Sequence, residues 1–207
     1  MALDILIAVP TYESIMPETF KSIYELEIPD DVNVYFDSIR GYTVEMARNR
    51  AVELANEYNV DYVFMVDNDI VLQESALKLL LEHDEDVVLG CYMHRDPGTP
   101  NSINTNLCKL GQFNYHAQVT AKEIKGFAKH GVQLLQVKGG GLGCALIKMS
   151  LFDKLSKPFF AWRSYEDGRS LSEDLHFAEN CAFHDVNIYA DPRVQCGHMF
   201  RFEKKVE

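Results

Sequence analysis

Apolar positions along the chain fall into short runs separated by segments of helical period. Residues 3 to 9 form an apolar run closed by Pro10, and Pro17 opens a stretch with Phe20, Ile23 and Tyr24 at helical spacing. The order predicted is strand, loop, helix. Val32, Val34 and Phe36 alternate with polar neighbours as in a second strand, and from Thr43 the residues Val44, Ala47, Ala51, Leu54 and Tyr58 recur at helical intervals. Tyr62–Val66 is apolar throughout and is followed by Asp67-Asn68-Asp69, a helix around Leu77, Leu80 and Leu81, and a further apolar strand over residues 87 to 92. Strands alternating with helices in this way predict an α/β protein with a mostly parallel central sheet.

From residue 94 to about 136 the sequence turns polar, with scattered aromatics such as Phe113, Tyr115 and Phe127. A stretch of that length within one domain points to function. Regular structure resumes over 132 to 138, passes the glycine run 139 to 141, and continues as an apolar run over 142 to 149. Ser150, with Asp153 three residues on, has the form of a helix N-cap. Ser172 has it too, ahead of a helix with Leu175, Ala178 and Ala182 on one side. Residues 187 to 190 are expected to be a last strand, leaving His198 in irregular chain beyond it.

The 207 residues suffice for one full hydrophobic core. With 20 basic and 31 acidic side chains the net charge is −11, and no Lys/Arg cluster occurs. That balance speaks against a nucleic-acid or anionic-membrane binder. No apolar run is long enough to span a bilayer, and the first lacks the basic flank of a signal peptide. Five cysteines without a CxxC pair read as reduced thiols of a cytoplasmic protein.

Asp67-Asn68-Asp69 is the sharpest chemical feature. It lies where a buried strand emerges at its carboxyl end, the place where open α/β sheets bind ligands. Two carboxylates at a turn can approach one hard cation such as Mg²⁺ or Mn²⁺; alternatively Asp69 caps the next helix. His198 offers a nitrogen ligand or is merely packed. Glu173-Asp174, in the first turn of a helix, either complements the helix dipole or supplies a general base. Gly139-Gly140-Gly141-Leu142-Gly143 precedes a strand, so it is no dinucleotide fingerprint; it marks a sharp turn or a close approach. Arg48 can reach a phosphate or sit on a solvated or salt-bridged helix face.

Taken in order, these pieces resemble glycosyltransferases of the GT-A fold, near the large family-2-like group. The matching residues are 7 to 12 at the first strand, Ala47-Arg48-Asn49, residues 62 to 69, the glycine run into Leu146-Ile147-Lys148, Ser172-Glu173-Asp174 and Gly197-His198. The resemblance implies an αβα sandwich with a small acceptor-side insertion. It implies one domain, with residues 1–93 as the nucleotide-sugar half and 94–207 as the acceptor half. It further implies a hexosyltransferase-type enzyme moving a sugar from a nucleotide-sugar donor to an acceptor hydroxyl, by inverting direct displacement.

In that scheme Asp67, Asp69 and His198 hold Mn²⁺ or Mg²⁺ against the diphosphate. Asp174 is the base, and Glu173 orients the acceptor or a loop. Pro10, Thr11, Tyr12, Glu13, Asp37, Arg48 and Asn68 face the donor, a UDP-sugar ahead of a GDP-sugar. Gly140, Gly141 and Trp162 lie on the acceptor side, although Trp162 also suits a packed core. A saccharide, a lipid-linked sugar or a protein side chain is the acceptor expected. Two other readings are a sugar-phosphate nucleotidyltransferase and a non-catalytic nucleotide-sugar-binding module. The first is disfavoured because Pro10-Thr11-Tyr12-Glu13 lacks the glycine turn and basic residues that a triphosphate needs.

Overall fold

The computed structural model describes residues 2–94, 104–111, 117–166, 168 and 170–199. In chain order the elements are β1 (Leu3–Thr11), α1 (Pro17–Tyr24), β2 (Val32–Arg40), α2 (Val44–Tyr58), β3 (Tyr62–Val66), β4 (Ile70–Val71), α3 (Ala76–Leu81) and β5 (Val87–Cys91). They continue with β6 (Asn104–Cys108), β7 (Gln118–Thr120), α4 (Ala121–Lys129), β8 (Leu135–Val137), β9 (Gly139–Gly140) and β10 (Cys144–Lys148). Last come β11 (Arg163–Ser164), β12 (Ser170–Leu171), α5 (Glu173–Phe183), β13 (Ile188–Gln195) and β14 (Gly197–His198).

Seven strands form the central sheet in the order β2-β1-β3-β10-β5-β13-β8. Strands β2, β1, β3, β5 and β13 run parallel, while β10 and β8 are antiparallel to their neighbours. Every residue of β3 and β5 is buried, as expected of strands covered on both faces. Alternate residues feed two cores. Leu6, Ala8, Val63 and Met65 meet the small face of α2 (Ala47, Ala51, Ala55) and, further along, Phe177 and Ala178 of α5. Ile5, Ile7, Phe64 and Val66 meet Leu77 and Leu80 of α3. The fold is thus a mixed α/β sandwich with helices on both faces of the sheet.

The polar stretch is more regular than its composition suggests. Strands β7, β6 and β9 make a small second sheet, and α4 begins with a complete capping box between Thr120 and Glu123. Phe113 and Tyr115 lie outside the described residues. Three local expectations need correction. Ser150 caps no helix: it sits inside a single 3-10 turn, Met149–Leu151, that follows Lys148. The last strand does not end at residue 190. It continues through Asp191-Pro192 to Gln195 with an irregular register against β5, because a bulge accommodates a proline that a regular ladder excludes. Nor is His198 in irregular chain, since β14 pairs with β4 and sets His198 opposite Ile70.

Candidate active site

Parallel β1, β3, β5 and β13 all present their carboxyl ends at one edge, and antiparallel β10 starts there, with Cys144 opposite Val66. Asp67, Asn68 and Asp69 turn the chain just past β3. The turn closes through Ile70 N–H donating to the Asp67 carbonyl at 3.1 Å. It is clamped from three sides. Asp67 N–H donates to the Gly143 carbonyl at 3.1 Å, Met199 N–H to the Asp69 carbonyl at 2.8 Å, and the Asn68 amide to the Ser14 carbonyl at 3.0 Å.

Pairing of β14 with β4 brings His198 Nε2 to 3.5 Å from Asp69 Oδ2. His198 Nδ1–H donates to the Met93 carbonyl at 2.8 Å, so in the neutral ring Nε2 carries the lone pair. Burial works against the imidazolium, but the Asp69 carboxylate and the Met93 carbonyl outweigh it, and the pKa of His198 is raised. Among the described residues no three His, Cys, Asp or Glu side chains form a ready-made metal centre. Asp69 and His198 nevertheless offer an oxygen and an imidazole nitrogen side by side, a donor pair that suits Mn²⁺.

Arg48 is salt-bridged and not solvated. It is 2% exposed on α2, next to the alanine face that packs on the sheet. Its guanidinium donates to Asp67 Oδ1 at 2.8 Å and to Glu173 Oε1 at 3.3 Å. Desolvation disfavours its charge, yet Asp67, Glu173 and Asp174 together hold it firmly protonated. Glu173 responds in the opposite sense: burial raises its pKa, and Arg48 only partly offsets that. Asp174, next along the helix, accepts from the Ser172 hydroxyl and from Leu175 N–H, both through Oδ1. Ser172 therefore stands at the N-cap position but spends its hydroxyl on Asp174 instead of on the helix backbone.

Two clefts open on this cluster. One, of about 370 Å³, is lined by Pro10, Thr11, Tyr12, Tyr42, Arg48, Asn68, Asp69 and Glu173, among others. The other, of about 230 Å³, is lined by Tyr92, Asn106, Gln118, Gly141 and Asp174, among others. Asp67 and His198 line both. The first two residues of α5 are thereby divided, Glu173 to the larger cleft and Asp174 to the smaller.

Other expected site residues stand apart from the clefts. The Glu13 carbonyl accepts from Arg40 at 2.8 Å, and Asp37 accepts from the Tyr58 hydroxyl at 3.3 Å; neither side chain lines a cleft. Trp162 is 57% exposed, which excludes core packing, and it lines neither cleft. In the glycine run the close approach is made by the protein itself. A Cβ on Gly141 would collide with the Tyr92 hydroxyl, and one on Gly143 would lie 2.8 Å from Asp67 Oδ2. Gly140 faces the backbone of β6 at Asn106.

Tyr92, Asn106 and Tyr42 are cleft residues the sequence reading passed over. Tyr92 carries a usable signal, a hydroxyl at the carboxyl end of a buried strand. That hydroxyl accepts Gly143 N–H at 3.1 Å, and the ring packs edge-on against His198 with centroids 5.4 Å apart. Burial, then the Asp67 charge, keeps its phenol protonated. Asn106 is buried and bonds Tyr92 N–H, the Gly90 carbonyl and the Gly141 carbonyl, roles set by long-range contacts.

No family model and no curated protein sequence matches the chain. Solved structures do. A197 from STIV aligns with a TM-score of 0.63 and 18% identity over 96% of this chain and 87% of that one. GalNAc-T7, solved with UDP, GalNAc and Mn²⁺, aligns with a TM-score of 0.63 and 10% identity over 98% of this chain and 45% of that one. These likenesses, with the sheet described above, define a GT-A-like fold. No helix among the described residues is long and apolar enough to cross a membrane.

Proposed function

We propose that the protein is a metal-dependent glycosyltransferase that moves a sugar from a nucleotide-sugar donor to an acceptor hydroxyl by inverting displacement. The observation that carries this reading is the meeting of two clefts at Asp67 and His198, with Glu173 on one side and Asp174 on the other. A transferase acting by direct displacement needs such an arrangement: a place for the donor, a place for the acceptor, and a base on the acceptor side.

Charge supports the metal. The lining of the larger cleft carries Asp67, Asp69 and Glu173, and its one Arg or Lys, Arg48, is already committed to two of them. Described residues thus leave a diphosphate there without a free cationic partner. Asp69 and His198, with Asp67 beside them, would hold a divalent ion, which would supply the charge that stabilises a departing nucleoside diphosphate. GalNAc-T7 was solved with UDP and Mn²⁺, which favours UDP and manganese here. Pro10, Thr11, Tyr12 and Asn68 face the nucleotide in this reading.

On the acceptor side, Asp174 has both bonds from its neighbours on Oδ1, leaving Oδ2 to take the hydroxyl proton. Arg48 fixes Asp67 and Glu173 relative to one another. Residues 1–93 supply most of the donor side and 94–207 most of the acceptor side, with Glu173 and His198 crossing to the donor cleft. The test is calorimetry of the purified protein against a panel of UDP- and GDP-sugars, with and without Mn²⁺. One donor is expected to bind with Mn²⁺ and to hydrolyse slowly, and at 100 times its dissociation constant it should stabilise the fold by about 2.7 kcal/mol. Failure of every nucleotide sugar to bind, with metal and without, would sink the reading.

A further inference from the structure

We infer that the group entering the smaller cleft is an uncharged sugar ring; this deepens the transferase reading and rests on it for the identity of the site as the acceptor's. The cleft's acidic lining is two carboxylates, Asp67 and Asp174, beside the imidazoles of His94 and His198, and no Lys or Arg lines it among the described residues. A phosphorylated or carboxylated acceptor would place a third anion against them, next to the donor's diphosphate, with no Lys or Arg of the described lining to offset it. Cys108 adds no charge, since burial pushes its thiol up to about 12. An amine fares no better, because an ammonium would pair with Asp174 and occupy the oxygen that the reaction needs for the hydroxyl proton.

The neutral lining fits a ring bearing several hydroxyls. Gln118, on the outer strand of the small sheet, and His94, just beyond β5, line the cleft without a side-chain bond to the described residues. Each both donates and accepts. They line the same cleft as Asp174, the residue proposed to take the reacting hydroxyl, so a ring bearing several hydroxyls has polar partners besides the base. A space of about 230 Å³ is matched to one ring held at several points. A serine or threonine hydroxymethyl would reach Asp174 and leave the amide and the imidazole unmatched.

Saturation-transfer NMR on the full chain tests this directly. The probes are methyl glycosides of glucose, galactose, mannose and N-acetylglucosamine, their phosphorylated and uronic-acid counterparts, and blocked serine and threonine peptides. At least one neutral glycoside is expected to bind, with its anionic counterparts about tenfold or more weaker. In Gln118→Lys, checked for folding by circular dichroism, that gap is expected to narrow. Tighter binding of an anionic probe or of a peptide, or no binding of any neutral glycoside, overturns the inference. Glycoside binding in a protein that binds no nucleotide sugar removes the transferase reading alone. Donor hydrolysis without any glycoside binding removes this inference alone.

Discussion

Two clusters of buried charge in this protein use the same residue types and differ in what they leave open. Around Asp191, which has 0% exposure, every carboxylate oxygen is matched. Oδ1 accepts from the backbone N–H and Nε of Arg193 at 2.8 and 3.0 Å, while Oδ2 meets Arg193 Nη2 at 2.6 Å and His83 Nε2 at 2.7 Å. Arg193 goes on to Glu82 at 2.9 Å. Around Arg48 the cation is equally enclosed, but Asp67 gives it only one oxygen while its side chain lines both clefts. A buried charge whose bonding capacity is exhausted ties elements together, here the end of α3 to β13. One whose partners keep capacity toward a cleft is available to a ligand. The comparison predicts that the open cluster governs activity and the closed one stability.

The largest effect is expected at the open cluster. Asp174→Asn keeps the shape of the side chain and its bonds from Ser172 and Leu175 but removes the carboxylate proposed as the base, so turnover should fall by about 10²- to 10⁴-fold. Donor affinity and the midpoint of urea unfolding should stay near those of the parent. Turnover that survives the substitution would take Asp174 out of the base role.

At the closed cluster the sign of the comparison reverses. Asp191→Ala strips His83 and Arg193 of their shared partner, and breaking a buried pair typically costs about 3 to 5 kcal/mol. Arg193 keeps Glu82 and some solvent contact, so the lower end of that range is expected, read as a shift of the urea midpoint with unchanged slope. Binding of the donor by the remaining folded protein should persist at low temperature. If binding is lost while stability holds, the two clusters do not divide the labour in this way.

Little of this division is visible along the chain. The buried strands β3 and β5, the amphipathic α2 and the acidic turn after β3 are legible because each is set by neighbours a few residues away. Insertion of β10 between β3 and β5 is not, since an apolar run fits any central position. Arg48 looks like a surface residue on an amphipathic helix, and its burial is explained only by partners from elsewhere in the chain, Asp67 and, 125 residues later, Glu173. Asp191-Pro192 reads as the end of a strand because a proline seldom continues one; the bulge that lets it do so depends on β5. Thr120 and Glu123 carry the spacing of a capping box, but residues 94 to 136 read as one polar stretch, in which the helix they open is passed over.

A smaller effect, on metal affinity, follows from His198. Against burial, the Asp69 carboxylate and the Met93 carbonyl raise its pKa above the ordinary histidine value, so the charged form is favoured in the metal-free fold. The His198–Asp69 pair accordingly adds stability below about pH 6.5, and this is lost as pH rises through the higher folded-state pKa. A metal needs the neutral ring, so Mn²⁺ affinity should move the other way and weaken as pH falls through that same pKa. Thermal unfolding with and without Mn²⁺ across pH 5.5 to 8.5, a range of about three units around the usual histidine pKa, should give curves of opposite slope. Parallel curves would mean that His198 is no ligand.

The smallest effect is expected at α4, which belongs to neither cluster. Thr120→Ala removes a side chain that accepts Glu123 N–H at 3.3 Å and donates to Glu123 Oε2 at 2.8 Å, and loss of such a cap costs about 1 kcal/mol. Lys109, then Thr120, holds the Glu123 carboxyl down to about 2, well below the usual carboxylate range. A depressed carboxylate stabilises the fold above about pH 4.5 and ceases to as pH falls toward 2. The difference between Thr120→Ala and the parent should therefore shrink in acid. Donor binding should be untouched, because the box lies in the insertion and lines neither cleft. A change in donor affinity would mean that the insertion is mechanically tied to the Arg48 cluster, and the boundary between the open and closed regions would have to be redrawn to include it.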